Sequence, residues 1–140
     1  MISTPQDFED GVERLATVIE GAIAGCSDTA SRLSAGLHGG LECLAADPEL
    51  AHRLLVAPFL AAPPARLEYE HQQERLAQVL GAALAGPDDS PPLAAGMAEL
   101  LAAGVLSHLS GRVLAGEAGG LVESHELLLE FLLMSRPHAP

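Results

Sequence analysis

Glu123-Ser124-His125-Glu126-Leu127-Leu128-Leu129-Glu130-Phe131-Leu132-Leu133-Met134-Ser135 is the stretch on which the fold turns. From Leu127 to Met134 only Glu130 interrupts the large apolar residues, and no β-branched residue occurs. Leu and Met are good helix formers, so the stretch predicts a helix running from near Glu123 to Ser135. A helix apolar all round must be covered all round. The preceding segment has the same character. From Leu93 to about Ala115, Met97, Leu101, Val105 and His108 recur as one helical stripe, and Ala102, Leu106, Leu109 and Val113 as a second. Two closing helices of this kind carry more apolar surface than the remainder of a 140-residue chain can shelter. The expectation is a homodimer in which both helices meet their symmetry mates as a four-helix bundle. Its candidate interface residues are Ala102, Leu106, Leu109, Val113, Leu128, Phe131 and Leu132.

Four further helices are expected ahead of this pair. Thr4-Pro5-Gln6-Asp7 combines a capping residue, proline at the first helical position and an acid in the first turn. Val12, Leu15, Ala16, Ile19, Ala22, Ile23 and Cys26 then share one face, and Gly25 supplies a stop. Ser27 and Asp28 cap a second helix reaching about Ala46, with Leu33, Leu37, Leu41 and Leu44 along it. Gly36, Gly39 and Gly40 in its interior each cost up to about 1 kcal/mol relative to Ala, which points to close approach by a neighbouring helix or by a ligand. Asp47-Pro48-Glu49-Leu50 opens a short third helix that Pro58 must end. A fourth helix is expected over 65–85, apolar at Leu76, Val79, Leu80, Ala83 and Leu84 but polar at Tyr69, Gln72 and Gln73 on the same projected face. Gly86-Pro87-Asp88-Asp89-Ser90-Pro91-Pro92 breaks it, and Ser90 with Pro91 can open the fifth.

Composition supports one all-α domain over residues 1–140: 49% of residues are hydrophobic, mostly Leu and Ala, and 3% are aromatic. Arg is the only strong cation, with seven copies scattered against 19 acids and a net charge of −12. Such a surface repels a phosphate backbone, so direct nucleic-acid binding by this chain is not expected. Cys26 and Cys43 have neither metal nor redox spacing and read as reduced, small apolar residues. The N-terminus lacks the basic and apolar regions of a signal peptide, and no apolar run approaches a membrane span. A cytoplasmic protein is expected.

The run Ala35-Gly36-Leu37-His38-Gly39-Gly40-Leu41-Glu42-Cys43-Leu44-Ala45-Ala46-Asp47-Pro48-Glu49-Leu50-Ala51 resembles the helix, Asp-Pro-Glu-Leu turn and short helix in the middle of TetR-type transcriptional regulators. Gly104-Val105, Arg112-Val113-Leu114-Ala115-Gly116 and Ser124-His125-Glu126-Leu127-Leu128-Leu129-Glu130-Phe131-Leu132-Leu133 are similar to that family's closing helix pair. The likeness spans residues 8 to 136 and is to the C-terminal, ligand-binding and dimerisation half. Nothing here corresponds to the family's N-terminal helix-turn-helix, so the chain is expected to be a separated regulatory domain or a natural product without the DNA reader. The resemblance implies a small, mostly apolar effector inside the bundle, whose binding changes the spacing of two readers across the dimer.

Candidate ligand contacts lie between the second, fourth and fifth helices: Leu37, His38, Leu41, Phe59, Tyr69, Gln72, Gln73, Leu76, Met97, Leu101, Val105 and His108. Pockets are mostly apolar with a few orienting polar groups, and His38, Tyr69, Gln72 and His108 are the polar members. His38 with Glu42, and Glu68, His71 and Glu74, bring metal-ligand types together, but neither group has zinc spacing; a solvated charged face explains both, and no metal or cofactor is expected. No Gly-x-Ser-x-Gly elbow, phosphate loop or Cys–His signature occurs, so no catalytic residue is nominated and the chain is read as a non-enzyme. The alternative to an effector sensor is a dimeric interaction module that pairs with, or antagonises, a related regulator. A hollow interior favours the sensor.

Overall fold

The computed structural model describes residues 5–60, 67, 74–75, 77–79, 81–82 and 96–134. They form an all-α bundle, with no strand among them. Helix α1 spans Pro5–Ile23, α2 Thr29–Ala46 and α3 Pro48–Leu55, followed by a 3₁₀ turn, Ala57–Leu60. Residues 74–75, 77–79 and 81–82 are helical and are called α4. Helix α5 is Met97–Leu114, a second 3₁₀ segment covers Ala118–Ser124, and α6 is His125–Met134. The Thr4 cap and the Ser90-Pro91 opening expected for α1 and α5 lie outside the described residues. No described helix is long and apolar enough to cross a membrane.

Local chemistry sets most of the boundaries. Phe8, Val12, Leu15, Ala16 and Ile23 are buried along one face of α1, while Asp10, Glu13, Arg14 and Glu20 stay outside. The helix ends before Gly25, whose φ of +89° lies in the left-handed region open to glycine. Asp28 caps α2 by accepting from the Ser31 backbone N–H at 2.8 Å. Asp47 closes α2 and opens α3: its Oδ1 accepts from Leu50 N at 3.1 Å and its Oδ2 from Arg14 of α1 at 2.7 Å. At the far end of α3, the buried Ser110 hydroxyl of α5 donates to the Leu55 carbonyl, one of the oxygens a helix terminus leaves without an intrahelical partner.

Helix α2 lies at the centre, packed on α1, α3, α6 and the Ala118–Ser124 turn. Its glycines set the spacing to α1. A Cβ on Gly36 would meet Ile23 Cγ2 at 3.1 Å, one on Gly39 would meet Ala22 Cβ at 3.1 Å, and one on Gly40 would meet Ile19 at 3.3 Å. The two helices therefore approach closely, as the glycine run led one to expect. Phe8, Val12, Leu41, Leu50, Leu55 and Leu121 fill the main core, and Ile23, Leu33, Leu101 and Leu132 a second cluster beside it. Helix α4 is tied to α1 by Arg75, which reaches Glu13 and Glu20 at 3.0 Å each.

The terminal helices correct the expected interface. Ala102, Leu109, Leu128 and Leu132 are buried within the single chain, and Leu106 and Val113 are partly buried against its core. Of the seven nominated residues, Phe131 alone is exposed. The reason is register. Both sides of α5 are apolar, and the side carrying Ala102 and Leu109 faces inward with Leu101 and Val105. The outward stripe is Leu100, Gly104, Ser107, Gly111 and Leu114. On α6 the outward side carries Leu127, Phe131 and Met134 together with Glu126 and Glu130. The Phe131 ring lies over Gly104, where an added Cβ would stand 3.2 Å from its Cζ.

Candidate functional site

A cavity of about 110 Å³, partly open to solvent, lies inside the bundle. Leu15 and Ile19 of α1 form one wall, and Leu33, Gly36, Leu37, Gly40, Leu41 and Leu44 of α2 the floor. Val79 of α4, Ala102, Val105, Leu106 and Leu109 of α5, and Leu132 of α6 complete it. Every described lining residue except Arg32 is apolar.

Packing geometry explains why space remains there. The glycines of α2 draw α1 and α2 together. Among the described residues, the close backbone neighbours of α5 are α3 and the Ala118–Ser124 turn. Helix α5 therefore stands off α1 and α2, and leucine and valine side chains bridge the gap without filling it. At about 24 cal/mol per Å³, occupying such a volume with apolar atoms is worth roughly 2–3 kcal/mol. Cavities of about 150 Å³ lined by Leu, Ile and Phe stay dry and take up benzene or xenon, so this one is of a size for a small apolar group or the end of a chain.

Arg32 differs from the other arginines whose ion pairs are described. Arg14 pairs with Asp47, Arg75 with Glu13 and Glu20, and Arg112 with Glu117 and Glu123. One terminal nitrogen of Arg32 donates to the Ala82 carbonyl of α4 at 3.1 Å. Its Nε is buried and has no hydrogen-bond partner among the described residues. Among the described residues, the cavity thus joins aliphatic walls to one cation.

The nominated contacts divide. Leu37, Leu41 and Val105 line the cavity. Leu101 and Met97 belong to the adjoining cluster with Ile23, Leu33 and Leu132. His38 is exposed and pairs with Glu42 at 2.5 Å, so it is not a cavity group. His108 is also displaced: its Nε2 lies 3.2 Å from the Ser124 hydroxyl, which Arg112 contacts at 2.8 Å, and the three fasten α5 to the turn before α6. Tyr69, Gln72, Gln73 and Leu76, the Phe59 side chain, and Glu68 and His71 of the metal-type group lie outside the described residues.

His125 fastens α6 to α2, with its Nε2 donating to the Ser34 carbonyl at 3.0 Å. Its ring meets that of His38 edge-on at 5.9 Å. Among the described residues, no three His, Cys, Asp or Glu side chains gather as a metal site would require. Cys26 and Cys43 are both unbridged.

Of the described lining residues, sequence reasoning nominated Leu37, Leu41 and Val105 as ligand contacts and missed the others, Leu15, Ile19 and Arg32 among them; Ala102, Leu106, Leu109 and Leu132 were assigned to the interface instead. The glycine run held a signal for the α2 wall, since close approach and ligand access were both open there. For Arg32 no periodicity argument was available, because a lone arginine on a half-exposed helix reads as surface charge. No protein-family model, curated protein or solved structure matches the chain.

Proposed function

We propose that this chain is an effector-sensing and dimerisation domain of the TetR regulator type, taking up a small, mostly apolar molecule between α1, α2 and α5. The observation that carries this reading is the cavity of about 110 Å³ walled by aliphatic side chains. Binding there is driven by apolar burial and dispersion contacts, with one polar group available for orientation.

Helix α5 supplies the coupling. Ala102, Val105, Leu106 and Leu109 line the cavity on one side of it. Leu100, Gly104 and Leu114 are exposed on the other. Together with Leu127, Phe131 and Met134 of α6 they make the face for a second copy, in which Phe131 is kept from the residues first nominated and the other six are replaced. A ligand that prefers one position of α5 shifts the population of dimer geometries by its differential affinity. In a regulator of this type that shift would alter the spacing of two attached DNA readers.

The experiment is a thermal-shift screen with linear alkanols and small aromatics, run on the wild type and on Ala102→Leu, which fills the cavity. The expected result is a raised melting temperature for at least one compound in the wild type and none in the variant, whose own stability is kept. No response from the wild type would contradict the sensor, and heterodimer exchange with a related regulator would then support the interaction-module alternative.

A further inference from the structure

We infer that Arg32 is the anchor for an anionic head group, and that the effector is an apolar-tailed carboxylate such as a medium-chain fatty acid. This inference rests on the sensor reading and gives its ligand a chemical class.

Three observations converge on it. Among the described lining residues, Arg32 alone breaks the apolar surface of the cavity. Its Nε–H is buried without an acceptor among the described residues, while a terminal nitrogen is already held by the Ala82 carbonyl, which orients the guanidinium. No ion pair joins it to any described carboxylate, in a chain that carries 19 acids and pairs Arg14, Arg75 and Arg112.

A buried donor of a permanent cation with no acceptor is costly unless a partner arrives, and a carboxylate matches the planar fork of guanidinium donors. Because the cavity is partly open, an alkyl chain can occupy the aliphatic interior while its head remains beside Arg32. The overall charge of −12 disfavours anions in general, so recognition must be local to this arginine. Arg53 also has a buried Nε without a partner among the described residues, but it lies on α3 and is not part of the described cavity lining. It serves as the control.

The test is isothermal titration of the full chain with octanoate and with octanol, on the wild type, Arg32→Met, Arg32→Lys and Arg53→Met. The expected result is that octanoate binds roughly tenfold or more tightly than octanol. Arg32→Met should remove that preference, Arg32→Lys should keep part of it, and Arg53→Met all of it. Equal binding of the two compounds by the wild type overturns the anchor and leaves the apolar-effector reading standing. A preference that survives Arg32→Met, or disappears in Arg53→Met, also overturns it. If neither compound binds the wild type, the sensor reading fails and this inference fails with it. Should Arg32→Met not fold, Arg32→Lys and the wild-type comparison decide.

Discussion

Asp47 holds three helices at one residue. Its carboxylate accepts from Leu50 at the start of α3 and from Arg14 of α1, and its own backbone N–H donates to Leu44 at the end of α2. The Arg14 hydrogen bond, followed by the Leu50 amide, holds the Asp47 carboxyl below its ordinary value. A depressed carboxyl contributes stability that is complete above the unfolded-state value and is lost as pH falls through the folded one. Asp47→Ala should therefore cost about 1 kcal/mol in urea unfolding at neutral pH, chiefly through the lost cap, since the Arg14 pair is exposed. The gap between variant and wild type should narrow as pH falls below about 4. A gap that stays constant into acid would mean the carboxylate form is not what stabilises the fold. The cap was legible in advance because its chemistry is local: Asp-Pro-Glu-Leu states a helix start without reference to the rest of the chain. Arg32 was not, because only tertiary packing turns a scattered arginine into part of a cavity wall.

Among the elements, α2 and α5 show what pattern reading reaches and where it stops. Gly36, Gly39 and Gly40 announced close approach, and it is α1 that approaches. Gly40→Leu should cost roughly 1–3 kcal/mol in urea unfolding, by forcing Ile19 and α1 away. An unchanged midpoint would mean that this contact does not set the α1–α2 spacing. Helix existence and order were legible along most of the chain because the stops are chemical: Gly25, the Asp47-Pro48 pair and Pro58. The orientation of α5 was not. With apolar residues on both sides, periodicity cannot say which side faces inward, and the outer stripe hides in Gly104, Ser107 and Gly111, which carry little apolar signal. Gly119 and Gly120 give the Ala118–Ser124 turn no periodic signal, yet Leu121 within it is fully buried. The α6 start accordingly falls at His125, two residues later than expected.

At the level of the whole molecule, two features adjoin one helix: the cavity inside α5 and the apolar strip outside it. Leu100 and Leu114 are 66% and 70% exposed, and Leu127 is 57% exposed, an outer strip of large aliphatics that a second copy would cover. Light scattering on the eluting protein should give twice the 14.4 kDa chain mass for the wild type. Leu127→Glu should give the single chain mass with the helical signal intact. A wild-type monomer at micromolar concentration would sever the sensing half of the proposal from its output. The most direct test of the central claim, that an apolar molecule enters between α1, α2 and α5, is methyl NMR on Ile-, Leu- and Val-labelled protein titrated with octanol. The predicted result is saturable shifts at Ile19, Leu37, Val105 and Leu106, with Leu100, Leu114 and Leu127 responding weakly or not at all. Shifts confined to those outer methyls, or none anywhere, would contradict it.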